Sequence, residues 1–344
     1  MKSTYRHLIL LIFLSLPAIW SIIKPGFFPM HDDTQVVRVD QMYQALKSGQ
    51  FPVRFVPDLG YGYGYPIFNF YNPLPYYFGA LFMFFGFDAL LATKMMFIFP
   101  ILLSGISLWL LAKKYFNNLA ALTAAIFYVY APYHAVQIYI RGAVAEYWAY
   151  ALLPLVIYAL LSRCRLLTAV SLALLILSHN LTALMFIPLL GILLLLFANR
   201  YTLYAILLAL GLSAFFWLPA LAEKNLTRVN LMVEQQFNPL DHSVYPDQLW
   251  SSPWGYAGSA PGHADGLSFV IGKLHIILTL FSLAIITFSR KIKKSTQQFL
   301  RLTIYYLLLA LFMLLPLSYS IWANLPVLRF LQFPWRWLTF VALS

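Results

Sequence analysis

LILLIFLSLPAIWSII (Leu8–Ile23) runs into KPGFFPMHDDT (Lys24–Thr34). Residues 8–23 carry no charge and are almost all apolar, the character of a helix that crosses a bilayer. Two adjacent carboxylates, Asp32 and Asp33, then stand just beyond its end. Acids at a membrane boundary are costly to desolvate, and neighbouring acids repel each other. They make sense facing water, with a proton, a cation or a substrate hydroxyl to bind.

The apolar pattern recurs along all 344 residues. The chain is 62% apolar and 10% charged, which excludes a soluble globular domain and predicts an all-α polytopic membrane protein. The single cysteine, Cys164, forms no internal disulfide, and no Cys/His spacing suggests a zinc site. Lys2, Arg6 and His7 ahead of the first apolar run read as an uncleaved signal anchor.

Lys and Arg clusters mark the cytoplasmic side of a membrane protein. Here they fall at Lys2/Arg6, Lys113/Lys114, Arg163/Arg165, Arg200, and from Arg290 through Lys291, Lys293 and Lys294 to Arg301. Spans are expected at about 8–23, 90–112, 118–134, 146–162, 166–180, 182–198, 202–219, 268–289 and 299–318. A tenth begins near Trp337 and is cut off by the end of the sequence. All eleven acids then fall outside the spans or at their outer ends, and eleven bases there cancel them. The net charge of +12 therefore gathers on the cytoplasmic side, toward anionic lipid rather than nucleic acid. The expected place is a prokaryotic cell (inner) membrane with the N-terminus cytoplasmic. Residues 74–87 (LPYYFGALFMFFGF) are read as a helix lying in the outer interface, because counting them as a span would invert everything after them. The chain is thus one membrane module (1–344), with a first outer loop over 24–88 and a large one over 220–267.

The outer segments hold the candidate chemistry. Thr34–Leu46 has helical spacing, with Val36, Val37, Met42, Tyr43 and Leu46 able to share one face. Asp58–Pro66 alternates Gly and Tyr up to Tyr65, giving tight turns with flat aromatic faces that suit a sugar ring or lipid headgroups. Arg141 and Glu146 stand at the mouths of two spans. Arg141 either binds a phosphate or snorkels to the interface, and Glu146 either works in a site or caps its helix. His179 lies in a short polar turn and either faces the active site or belongs to a capped hairpin. Arg329 and Arg336 sit among aromatics, suited to a lipid phosphate or to interfacial anchoring.

Taken together, several stretches resemble one family. They are His31-Asp32-Asp33, the Gly-Tyr run into Tyr71-Asn72-Pro73-Leu74-Pro75-Tyr76-Tyr77, Arg141-Gly142-Ala143 with Ala145-Glu146, Ser213–Ala220 with Glu223, and Gln332-Phe333-Pro334-Trp335-Arg336. The set resembles the bacterial and archaeal membrane family called 6-pyruvoyl-tetrahydropterin synthase-related. That family is similar to a branch of the GT-C superfamily of polyprenyl-phosphate-dependent glycosyltransferases. A soluble pterin synthase needs a zinc histidine cluster on a compact α/β fold, and the sequence offers neither. The resemblance implies a GT-C-like helical bundle, short surface helices in the first outer loop, and a catalytic acid near the outer end of the first span. The acids here are adjacent rather than spaced as DxD. The resemblance also implies further helices beyond the last residue.

On that reading the donor is a sugar on a polyprenyl phosphate, and the acceptor is a lipid, a glycan or a protein. Asp33 is the expected base, with Asp32 supporting it or exchanging roles. Arg141, Arg336 and Arg329 are expected to hold the departing phosphate. Glu146 and Glu223 are expected to bind sugar hydroxyls or share a cation with the aspartates. His31, His179, Tyr65 and Asn72 complete the substrate-binding set. Mg2+ or Mn2+ is the candidate cation, with Asp32 and Asp33 as ligands. A monophosphate donor can also react without one, since arginines can neutralise a single phosphate. The competing functions are a transporter or flippase of lipid-linked saccharides, and a non-catalytic membrane protein. The first predicts charges within spans and internal repeats. The second leaves the outward acids without a role.

Overall fold

The computed structural model describes residues 2–197, 200–229, 231, 238–288 and 293–344. Glu234, Arg290 and Lys291, which enter the charge map, lie outside the described residues.

The architecture is all-α and polytopic, with one isolated bridge, Val56 to Tyr65, in place of a sheet among the described residues. α1 (Lys2–Ile23) packs on α5 (Ala89–Lys113) and α6 (Asn118–Val129). α8 (Val144–Leu161) is the central helix: it is buried along nearly its whole length between α5 and α9 (Arg165–Ser178). α11 (Arg200–Glu223) packs on α9, and α10 (Asn180–Phe197) packs on both α9 and α8. Both keep much apolar surface outward, including Leu195, Leu203 and Leu207. Helices apolar on all sides, with only one side covered by protein, belong in lipid.

Among the described residues six helices are long and apolar enough to cross a membrane. They match the expected spans near 8–23, 90–112, 146–162, 182–198, 202–219 and 299–318. The expected spans at 166–180 and 268–289 form shorter apolar helices, Arg165–Ser178 and Lys273–Phe288. Residues 74–87 form α4 (Leu74–Phe84), whose 11 residues rise only about 16 Å, too little for a bilayer core of about 30 Å.

The straight span expected at 118–134 is broken. α6 ends at Val129, and a second helical piece, Pro132–Arg141, leaves it at 44°. Pro132 has no amide hydrogen and pushes Ala131 into an extended conformation, so the helix cannot run through. The second piece opens with α7 (Pro132–Ala135), then widens into π turns over Val136–Arg141 and stops at Gly142, whose φ is 63°. This break sets where Arg141 points.

α2 (Gln35–Lys47) differs from its expected face. Gln35, Val39, Met42 and Ala45 are buried against α4, while Val37 is exposed. Gln35 can lie inside because its amide is fully used, as described below.

The two ends of the bundle differ in charge. At one end Lys113 bonds Thr4, Lys114 bonds Ser162, and Arg165 stacks on Tyr201. The other end gathers the His31–Asp33 segment, Glu146, the α9–α10 turn and Glu223.

Candidate active site at the acidic end of the bundle

The segment after α1 folds back onto the π turns. The His31 amide donates to Ile140 O at 2.8 Å, and the Asp32 amide donates to Arg141 O at 2.9 Å. Gln35 Nε2 donates to Gly142 O at 2.8 Å, and the Tyr76 hydroxyl donates to Gln35 Oε1 at 2.6 Å. Arg38 lies over the Tyr71 ring, 4.7 Å from its centre. These contacts join α2, α4 and the broken span around the acids.

Gly142 is required at this joint. Its φ is positive, and a Cβ there would strike the Met30 sulfur and approach Asp32 O at 3.1 Å. Gly142→Ala is expected to destabilise the protein by about 1–3 kcal/mol, from backbone strain and displacement of the Met30–Asp32 segment. Equilibrium unfolding in mixed micelles checks this. An unchanged midpoint would mean that the segment yields freely.

Beneath the segment lies a buried ionic cluster. The Glu146 carboxylate, 2% exposed, accepts from Arg141 Nη1 at 2.9 Å, Tyr133 Oη at 2.7 Å and Gln137 Nε2 at 3.1 Å. Arg336 Nε stands 3.8 Å from it, and the Arg141 guanidinium covers the Trp335 ring at 4.5 Å. Arg336 is itself buried, and its Nε and Nη1 have no hydrogen-bond partner among the described residues. Two guanidiniums against one carboxylate leave this buried cluster with one net positive charge. Buried unpaired donors are costly, by about 1–3 kcal/mol each. Their geometry suits an anionic oxygen.

His179 closes the cluster from the α9–α10 turn. Its Nδ1 meets Thr182 Oγ1 at 2.7 Å and caps the start of α10. Burial lowers its pKa to about 3; Glu146 opposes the shift, and Arg336 and Arg141 add to it. The imidazole is therefore neutral at ordinary pH and adds no charge.

The structure thus brings together His31, Asp32, Arg141, Glu146, His179 and Arg336. Asp32 accepts from His31 Nδ1 at 2.9 Å. Asp33 is exposed, without a partner among the described residues. The rest of the expected set has other contacts. Glu223 accepts from Asn69 Nδ2 at 2.9 Å, which ties α11 to the first loop. Asn72 is buried and donates to Ile176 O at 2.9 Å. Tyr65 is half-exposed, its backbone paired with Val56. Arg329 is exposed and reaches Ala323 O at 3.3 Å. Both Glu146 oxygens accept from protein groups, Oε1 from Tyr133 and Gln137 and Oε2 from Arg141.

Tyr133, Gln137, Gln35, Arg38 and Tyr76 were missed by sequence reasoning. Tyr133, Gln137 and Arg141 recur every four residues, so a polar stripe was visible on one helical face. It was hidden by the apolar residues around it. The large loop also reaches the segment just ahead of the acids: a cavity of about 180 Å3 is lined by Pro29, Met30, His31 and Tyr256.

No group of three His, Cys, Asp or Glu side chains able to hold a metal occurs among the described residues. The donors at hand, Asp32 and Asp33, fit a divalent cation only if water or phosphate oxygens complete its shell.

No curated protein and no solved structure matches the chain. A family model does, over residues 68–344, which hold Arg141, Glu146, His179, Glu223, Arg329 and Arg336; the His31–Asp33 segment precedes the match. The chain therefore belongs to the 6-pyruvoyl-tetrahydropterin synthase related domain family, a family of membrane proteins.

Proposed function

We propose that the protein is a GT-C-type glycosyltransferase that moves a sugar from a polyprenyl-phosphate donor to an acceptor hydroxyl at the acidic end of the bundle. The observation that carries this reading is the buried Arg141–Glu146–Arg336 cluster. It has one positive charge in excess and two free Arg336 donors, and its Arg141 is bonded through the backbone to the Asp32 segment.

In the proposed step the acceptor oxygen attacks the anomeric carbon of the sugar. The bond from that carbon to the phosphate oxygen breaks, and its electron pair leaves with the polyprenyl phosphate. Arg336 and Arg141 hold the leaving phosphate. The acceptor proton passes to Asp33, whose oxygens are open to water. Direct displacement inverts the anomeric carbon. A bound Mg2+ or Mn2+ would add charge stabilisation at the leaving phosphate. Tyr256, from the large loop, borders the approach to the acids.

The broken span favours a second reading, a flippase of lipid-linked saccharides, because interrupted helices line many transport pathways. One experiment separates the two. The full chain in liposomes is given polyprenyl-phosphate hexoses carrying a radiolabelled sugar. Transfer removes label from the lipid; flipping leaves label on the lipid and changes its leaflet. Neither event with any donor overturns both readings.

A further inference from the structure

We propose that a second site, at the basic end of the bundle, binds a phosphate group. It lies in a cavity of about 250 Å3 between the α8–α9 turn and the start of α11. α8 rises about 22 Å from Glu146 to its end at Leu161, so this cavity lies at the opposite end of the helix from Glu146. It is therefore separate from the cluster described above.

Three observations point to an anion. Arg163 and Arg165 both line the cavity and are exposed, with no acidic partner among the described residues. The sequence explains why: no Asp or Glu occurs between Glu146 and Glu223. Lys114, bonded to Ser162 beside the same turn, adds to the positive field. A pocket walled by one sign of charge concentrates the opposite ion.

The guanidinium of Arg165 lies 3.3 Å from the centre of the Tyr201 ring. Stacking fixes the plane of the group and leaves its in-plane N–H donors directed outward, the arrangement that grips a phosphate with two parallel bonds. Arg163 is held in the turn by its own amide, which donates to Leu160 O at 3.1 Å, with a φ of 54°. A glycine would take that conformation at lower cost.

Thr168 supplies the third observation. It borders the cavity, where its hydroxyl can bond a ligand oxygen. Two arginines, a stacking ring and a hydroxyl match a phosphomonoester or phosphodiester. The source is either a lipid headgroup or free phosphate.

Native mass spectrometry of the detergent-solubilised full chain counts what binds. The probes are dioctanoyl phosphatidate, inorganic phosphate, and dioctanoylglycerol as the phosphate-free control. The proteins are wild type, Arg163→Gln with Arg165→Gln, Thr168→Val, and Lys293→Gln with Lys294→Gln as a charge-matched control at the same end. Wild type is expected to hold one phosphate-bearing ligand at this site, beside any held by Arg141 and Arg336, and the arginine variant to lose that one by at least tenfold in affinity. Thr168→Val is expected to weaken it severalfold, and the lysine variant less than twofold. Phosphatidate without inorganic phosphate identifies a lipid headgroup; equal binding of both identifies free phosphate. The proposal is overturned if neither probe binds, if the arginine variant binds as wild type does, or if the lysine variant loses as much. Should the arginine variant misfold, Thr168→Val and Tyr201→Leu carry the same comparison, and unchanged affinity in both overturns it.

Discussion

Asp33→Asn is expected to reduce sugar transfer by about 10²–10⁴-fold while leaving the protein folded, the usual loss when a general base is removed. Asp33 is exposed and engages no other described side chain. The amide keeps its shape, so no packing is lost. What disappears is the group that takes the acceptor proton. Asp32→Asn is expected to lose less, because Asp32 already accepts from His31. The measurement is initial transfer rate at matched amounts of folded protein. Transfer that survives in both variants would place the base elsewhere.

Glu146→Gln is expected to cost about 3–5 kcal/mol of stability, the range for breaking a buried ion pair by removing one partner. The substitution preserves volume, so the loss is electrostatic. Arg141 and Arg336 would face each other in a buried setting without a counter-charge. Tyr133 and Gln137 would lose a charged acceptor and keep a weaker one. Unfolding in mixed micelles and the yield of folded protein both report it. Adding Arg336→Met to Glu146→Gln is expected to recover much of the loss, since it removes the second unpaired charge. A loss under about 1 kcal/mol, the value typical of an exposed pair, would mean that the cluster is solvated.

The spans were legible because lipid demands long uncharged helices, and composition alone marks those. The break at Pro132 was written in the sequence too, but a straight span accounts equally well for an apolar run. Only the packing of Pro132–Arg141 against α8 and the first loop shows the bend. The same limit applied to α2. Its buried face includes Gln35, which a hydrophobic pattern assigns to water, and which lies inside because Gly142 and Tyr76 satisfy it. For the site, the residue types were readable: acids and arginines at span ends are expensive unless used. Their pairing was not readable. Arg336 and Glu146 are 190 positions apart, and Asp32 meets Arg141 through backbone atoms, which leave no trace in side-chain identity. Arg329 and Arg336 looked equivalent in sequence. Burial separates them, since Arg329 is exposed and Arg336 lies buried beside Glu146.

The measurement closest to the central claim is the affinity of the full chain for a short-chain polyprenyl monophosphate, for wild type and for Arg336→Gln. Arg336 is the buried guanidinium with free donors, and its loss leaves the Arg141–Glu146 pair intact. Both proteins also carry Arg163→Gln and Arg165→Gln, which removes binding at the basic end from the comparison. Wild type is expected to bind, and Arg336→Gln to bind at least tenfold more weakly, as a lost hydrogen bond between charged groups of about 1.5–3 kcal/mol requires. Equal affinity in the two proteins, or no binding by wild type, would contradict the assignment of the buried cluster as the phosphate site.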